Sequence, residues 1–109
     1  MNGVALESAL ADCNAALAST PNVPAYLDSK AFVLLRLGRI DEAIATFDRA
    51  LAGEPKMAPS LFGRAIAWSR KGDTAKAQAD KDAALKIEPN IQKQYESYGV
   101  TMETDAAKS

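Results

Sequence analysis

Proline recurs in this chain at a fixed step: Pro21, Pro55 and Pro89 are evenly spaced, with 55 − 21 = 89 − 55 = 34. Gly38 to Gly72, Ala43 to Ala77, Ala50 to Ala84 and Leu51 to Leu85 keep the same step. A period shared by several residue types marks stacked copies of one supersecondary unit, none of which can bury its apolar face alone. Such arrays make surfaces for partners more readily than pockets for chemistry.

Glycine, proline and acidic residues punctuate the period. Pro24 to Leu37 reads as an amphipathic helix closed by Gly38, a residue suited to the left-handed position just past a helix end. A second helix, from about Ile40 to Ala52, carries Asp41 and Glu42 in its first turn and stops before Pro55. The next copy repeats this pattern with Ala58 to Lys71, Gly72, the capping candidate Asp73, and Thr74 to Ile87. Stepping back 34 residues from Ala43, Ala50 and Leu51 lands on Ala9, Ala16 and Leu17. Residues 4–19 therefore read as the second helix of a unit whose first helix is missing. After Pro89, Asn90 is the expected cap of a last helix over 91–98, in which Ile91, Tyr95 and Tyr98 seal the stack. Residues 101–109 read as a frayed tail.

Within each first helix, Leu27, Ala31 and Leu34, and likewise Leu61, Ala65 and Trp68, fall at i, i+4 and i+7 and make one inward stripe. Ala43, Ala50, Ala77 and Ala84 put small side chains on the facing helices, so that backbones approach closely and Phe47 fills what remains. Lys81 and Cys13 stand where Phe47 stands in the middle copy. The lysine stem is expected to lie along the stack with its amine in water, and Cys13 to be a small core residue. Arg64 is a charge on a packed face and requires a partner. Asp80, sixteen residues further on in the facing helix, is the expected one; Lys30 and Thr46 stand in the corresponding places one copy earlier.

This pattern, Leu27, Ala31, Leu34, Gly38, Ala43, Phe47, Ala50, Pro55, then Leu61, Ala65, Trp68, Gly72, Ala77, Ala84, Pro89, resembles the tetratricopeptide repeat over residues 4–98. The stretches Ser60 to Arg64, Arg70 to Asp73 and Tyr98 to Val100 also resemble the C-terminal repeats of certain larger bacterial proteins. The resemblance implies an all-α fold, a right-handed superhelical array of antiparallel helix hairpins. It would comprise a half repeat (4–19), two full repeats (24–55 and 58–89) and a capping helix (91–98). It also implies that the outer stripe of each first helix lines a concave, partner-binding surface. That stripe is Ala25, Asp28, Phe32, Leu35 and Arg36 in one copy and Pro59, Phe62, Ile66, Ser69 and Arg70 in the next. The layout suits a peptide with apolar anchors and a nearby carboxylate. For Phe32 and Phe62 the competing reading is plain core packing, and for the arginines, local pairing or solvation. The family's carboxylate clamp for acidic chaperone tails uses Lys and Asn at places held here by Asp28, Phe32 and Gly63. Chaperone-tail binding is therefore disfavoured.

Composition excludes several other functions. Thirteen Lys and Arg against fourteen Asp and Glu leave no basic excess for nucleic acid. No apolar run approaches the roughly 20 residues of a membrane span. The chain is expected to be soluble, with the cytoplasm favoured and a bacterial periplasm open, since the single Cys13 forms no internal disulfide. Without histidine, and with one cysteine, the usual acid-base and metal-binding sets are missing, and no cofactor is expected. Two functions remain: a protein- or peptide-binding module, or an assembly segment. The second would use Leu6, Leu10 and Leu17, expected to be left uncovered by the missing helix, in a larger protein or a homodimer through residues 4–19.

Overall fold

The computed structural model describes residues 3–100. The expected tail over 101–109 lies outside the described residues. Within them the protein is all-helical, with six helices: α1 (Gly3–Ser19), α2 (Pro24–Arg36), α3 (Ile40–Gly53), α4 (Ala58–Lys71), α5 (Thr74–Ile87) and α6 (Ile91–Ser97). The 34-residue step reappears in the helix starts, 58 − 24 = 74 − 40 = 34. No helix among the described residues is long and apolar enough to cross a membrane.

Local chemistry accounts for the helix boundaries. Proline occupies the first turn of both α2 and α4, where a missing N–H costs nothing. Gly38 and Gly72 adopt φ of 80° and 92°. Each reverses the chain so that the following amide reaches back into the finished helix: Arg39 N–H donates to Leu34 O and Asp73 N–H to Trp68 O, both at 2.9 Å. Asp73 caps α5 by accepting from the Lys76 amide at 3.1 Å. Asn90 departs from expectation, since its side chain makes no capping bond. Glu88 Oε1 instead accepts from the Asn90 amide at 3.4 Å, and a backbone bond from Ile91 to Glu88 turns the chain into α6.

All sequence-adjacent helices pack on one another, α1 on α2 included; α2 also meets α4, and α4 meets α6. Leu27, Ala31, Leu34 and Ala65 are buried as the helical spacing requires, and so are Ala43, Ala50, Ala77 and Ala84 at the helix crossings. Trp68 is half-buried, with the Lys76 ammonium 4.4 Å from its ring centre. The expectation for α1 is corrected. Leu6 and Leu10 are buried within the single chain and Leu17 is half-buried, so packing on α2 already covers the leucines that were to need a partner. The case for a homodimer through residues 4–19 loses its motive.

Arg64 binds three helices together. Its Nε and Nη2 donate to the two oxygens of Asp80 on α5, at 2.7 and 2.8 Å, and its Nη1 donates to Asp48 on α3 at 2.8 Å. The hydrogen bonds to Asp80, followed by those to Asp48, raise the guanidinium pKa against the opposing effect of burial. Asp80 is 9% exposed, so removing its partner strands a carboxylate inside the packed face. Arg64→Ala should therefore cost about 2 kcal/mol in a denaturant melt, whereas Asp48→Ala, at an exposed site, should cost less than about 0.5 kcal/mol. Equal effects would remove the distinction between the two pairs.

Candidate functional site

A cleft of about 570 Å³ opens beside α2. Ala9 and Cys13 of α1 form one wall, and Ile91, Gln94 and Tyr95 of α6, with Tyr98 just beyond it, form the other. Asp28, Ser29, Phe32, Val33 and Arg36 make the α2 side, and Pro59 of α4 closes the far edge. Phe32 lies at the centre. Its ring meets Tyr95 and Tyr98 edge-on, with centroids 5.6 and 5.7 Å away, and the Arg36 guanidinium stacks 5.7 Å from its centroid.

Tyr95 owes its position to a glycine. Tyr95 donates its hydroxyl to Pro59 O at 2.6 Å and packs on Phe62 at a centroid distance of 4.9 Å. Burial, then the Asp28 carboxylate, then Tyr98, push the phenol pKa far up, so it remains a donor. A side chain at Gly63 would block this approach. A Cβ there would lie 2.9 Å from the Tyr95 hydroxyl and 2.7 Å from Phe47 Cε1. Phe47 is fully buried, so its ring has nowhere to retreat.

At the opposite end of the cleft from Arg36, Asp28 is held by Ser60, whose hydroxyl donates at 2.7 Å to Oδ1. Burial raises the Asp28 pKa above the usual carboxylate value, and the Ser60 hydrogen bond only partly counters it. Among the described residues no other donor is recorded for this carboxylate, and Arg36 has no ion-pair partner. Cys13 is half-buried on the cleft wall and not in the core as expected. Burial, and then the charge of Asp12, raise its thiol pKa, with Lys30 opposing, which is the reverse of activation. Among the described residues no group of His, Cys, Asp and Glu is arranged to hold a metal ion.

Of the residues expected on a concave surface, Asp28, Phe32, Arg36 and Pro59 line the cleft, and Leu35, Phe62, Ile66, Ser69 and Arg70 do not. Leu35 and Ile66 are fully buried and Phe62 is 1% exposed. Phe62 is therefore core, because Tyr95 covers it. Arg70 does not accompany Arg36; its Nη1 donates to Leu35 O at 3.4 Å, binding the end of α4 to the last turn of α2, where the helix dipole favours a cation. Ser69 is half-buried and does not line the cleft. The sequence reading missed Tyr95 and Tyr98 as cleft walls, treating them only as a seal. It also missed Ser60, although an acid on an inner face calls for a nearby donor.

Comparison of the chain with known protein families, curated proteins and solved structures returned no match.

Two outcomes follow from this geometry. Gly63→Ala gains about 1 kcal/mol of helix propensity but forces Phe47 and Tyr95 apart, and should cost about 2 kcal/mol net by thermal melting; a stabilised variant would refute the close approach. Asp28 has a folded-state pKa raised above its unfolded value. Its stability contribution is thus complete below the ordinary carboxylate value and lost as pH rises through the folded one. Asp28→Asn should accordingly melt higher than the parent at neutral pH, and the difference should vanish on acidification past the ordinary carboxylate range. A constant difference across pH would show that ionisation is not the cause.

Proposed function

We propose that this protein is a non-catalytic protein-recognition module. In this reading it is an array of tetratricopeptide-like hairpins wound into a right-handed superhelix, and it binds a segment of another protein in the cleft beside α2. The observation that carries the proposal is the cleft itself. Aromatic rings at Phe32, Tyr95 and Tyr98 supply apolar area with little conformational entropy to lose, and one charged group stands at either end. Its volume of about 570 Å³ suits a short segment or a few anchoring side chains. The family resemblance rests on the 34-residue pattern of small, apolar and proline positions, and the matching helix starts agree with it.

What the side chains can do supports a non-catalytic role. The chain has no histidine, and its one thiol is pushed toward the neutral form. The carboxylate in the cleft has no second acid recorded beside it among the lining residues to divide acid and base duties. Recognition needs only the apolar area and the charged ends.

Peptides selected from a random display library should bind with amide NMR shifts centred on Phe32 and Tyr98. Phe32→Ser and Tyr98→Ser should each weaken that binding about tenfold or more, with helix content retained by circular dichroism. Selected peptides that bind both variants as well as the parent would place recognition on another surface.

A further inference from the structure

The inner side of α2 carries Asp28, Phe32 and Arg36 at i, i+4 and i+8, all three lining the cleft. Eight residues of helix separate the two charged residues by about 12 Å along the axis. An extended segment rises about 3.3 Å per residue and turns alternate side chains to one side, so its positions i, i+2 and i+4 span about 13 Å. The two spacings agree. We propose that the cleft selects a dipolar extended segment of a partner protein, with a basic residue at Asp28, an aliphatic or aromatic residue on Phe32 and an acidic residue at Arg36. This rests on the peptide-binding reading above and adds the chemistry of the partner.

Charge complementarity is the main argument. Asp28 accepts one hydrogen bond, from Ser60 to Oδ1, and no described residue donates to its Oδ2. A largely buried carboxylate with unused acceptor sites is costly unless a donor arrives from outside. A lysine or arginine of the partner would supply one. At the other end, the Arg36 guanidinium carbon lies over the Phe32 ring, 5.7 Å from its centre, and has no carboxylate partner among the described residues. Stacking leaves the edge donors of a guanidinium available for a bidentate acid. Between the charged ends, Phe32, Val33 and the ring of Tyr98 offer apolar surface. A segment with two basic or two acidic ends would set like charge against one wall. An extended strand also needs less room than a helix, which is 10–12 Å wide, between walls supplied by α1 and α6.

The test titrates the full chain with end-blocked peptides that share flanks and differ in a central core: Lys-Ser-Leu-Ser-Glu, Lys-Ser-Leu-Ser-Lys or Glu-Ser-Leu-Ser-Glu, followed by amide NMR. The mixed-charge core should bind about tenfold tighter than either control, with shifts at Phe32 and Tyr98. In Arg36→Glu, whose fold is checked by an unchanged melt, the preference should move to the doubly basic core. If all three cores bind alike and shift the cleft amides, the charge assignment fails while the apolar groove stands. If a peptide with its charges at helical spacing binds better, the extended geometry fails. If no core perturbs the cleft, and display-selected peptides also ignore Phe32→Ser, both this proposal and the peptide-binding reading fall.

Discussion

The bare Cα of Gly63 is the point on which the packing of this molecule depends. From one side the fully buried ring of Phe47 on α3 presses against the α4 backbone, and from the other the Tyr95 hydroxyl passes over it to reach Pro59 O. A glycine inside a helix costs about 1 kcal/mol relative to alanine. That cost is offset because three elements meet where a methyl group would keep them apart. Without the close approach Tyr95 would not lie on Phe62, and α6 would lose its seat.

At Arg64 and Asp80 charge enters the same packed layer under strict pairing. Arg64 stands one residue from Gly63 and divides its donors between the buried Asp80 and the exposed Asp48. Its planar fork matches a carboxylate with two parallel bonds, which a lysine at that position does not do. Because α4 lies between α3 and α5, one guanidinium fixes the orientation of both neighbours. The Lys71–Asp41 and Arg39–Glu42 pairs lie at exposed ends of helices and add little beyond local charge balance.

Most of the helical framework was legible in the sequence because its causes are local. Proline at the starts of α2 and α4, glycine at positive φ past the ends of α2 and α4, and alanine at the crossings act through neighbouring residues and so leave a periodic trace. The Arg64–Asp80 pair was legible too, since a charge on an apolar face restricts its partners to the facing helix. What the period does not encode is α6. This seven-residue helix ends the pattern, and its side chains reach distant partners, Tyr95 meeting Phe32 of α2 and Pro59 of α4. The burial of Phe62, the second wall of the cleft and the half-exposed place of Cys13 involve helices beyond the two complete copies, so none of them could be read from the repeat.

The consequence is that positions 34 residues apart have the same sequence register and different physical fates. Phe32 and Ile66 are equivalent, yet Phe32 is half-buried at a cleft and Ile66 is fully buried. Asp28 and Phe62 are equivalent, and the aromatic one is the member covered by Tyr95, where a carboxylate would have been desolvated without a donor. Arg36 and Arg70 are equivalent, and the second is spent on the Leu35 carbonyl while the first faces the cleft. Of the three pairs only Asp28 and Phe62 differ in kind, and the apolar member is the one that Tyr95 of the C-terminal helix covers; the other two pairs keep their chemistry and differ in burial or in partner. If the cleft takes a partner segment as proposed, the copy that keeps Asp28, Phe32 and Arg36 gives it aromatic area between two charged groups of opposite sign.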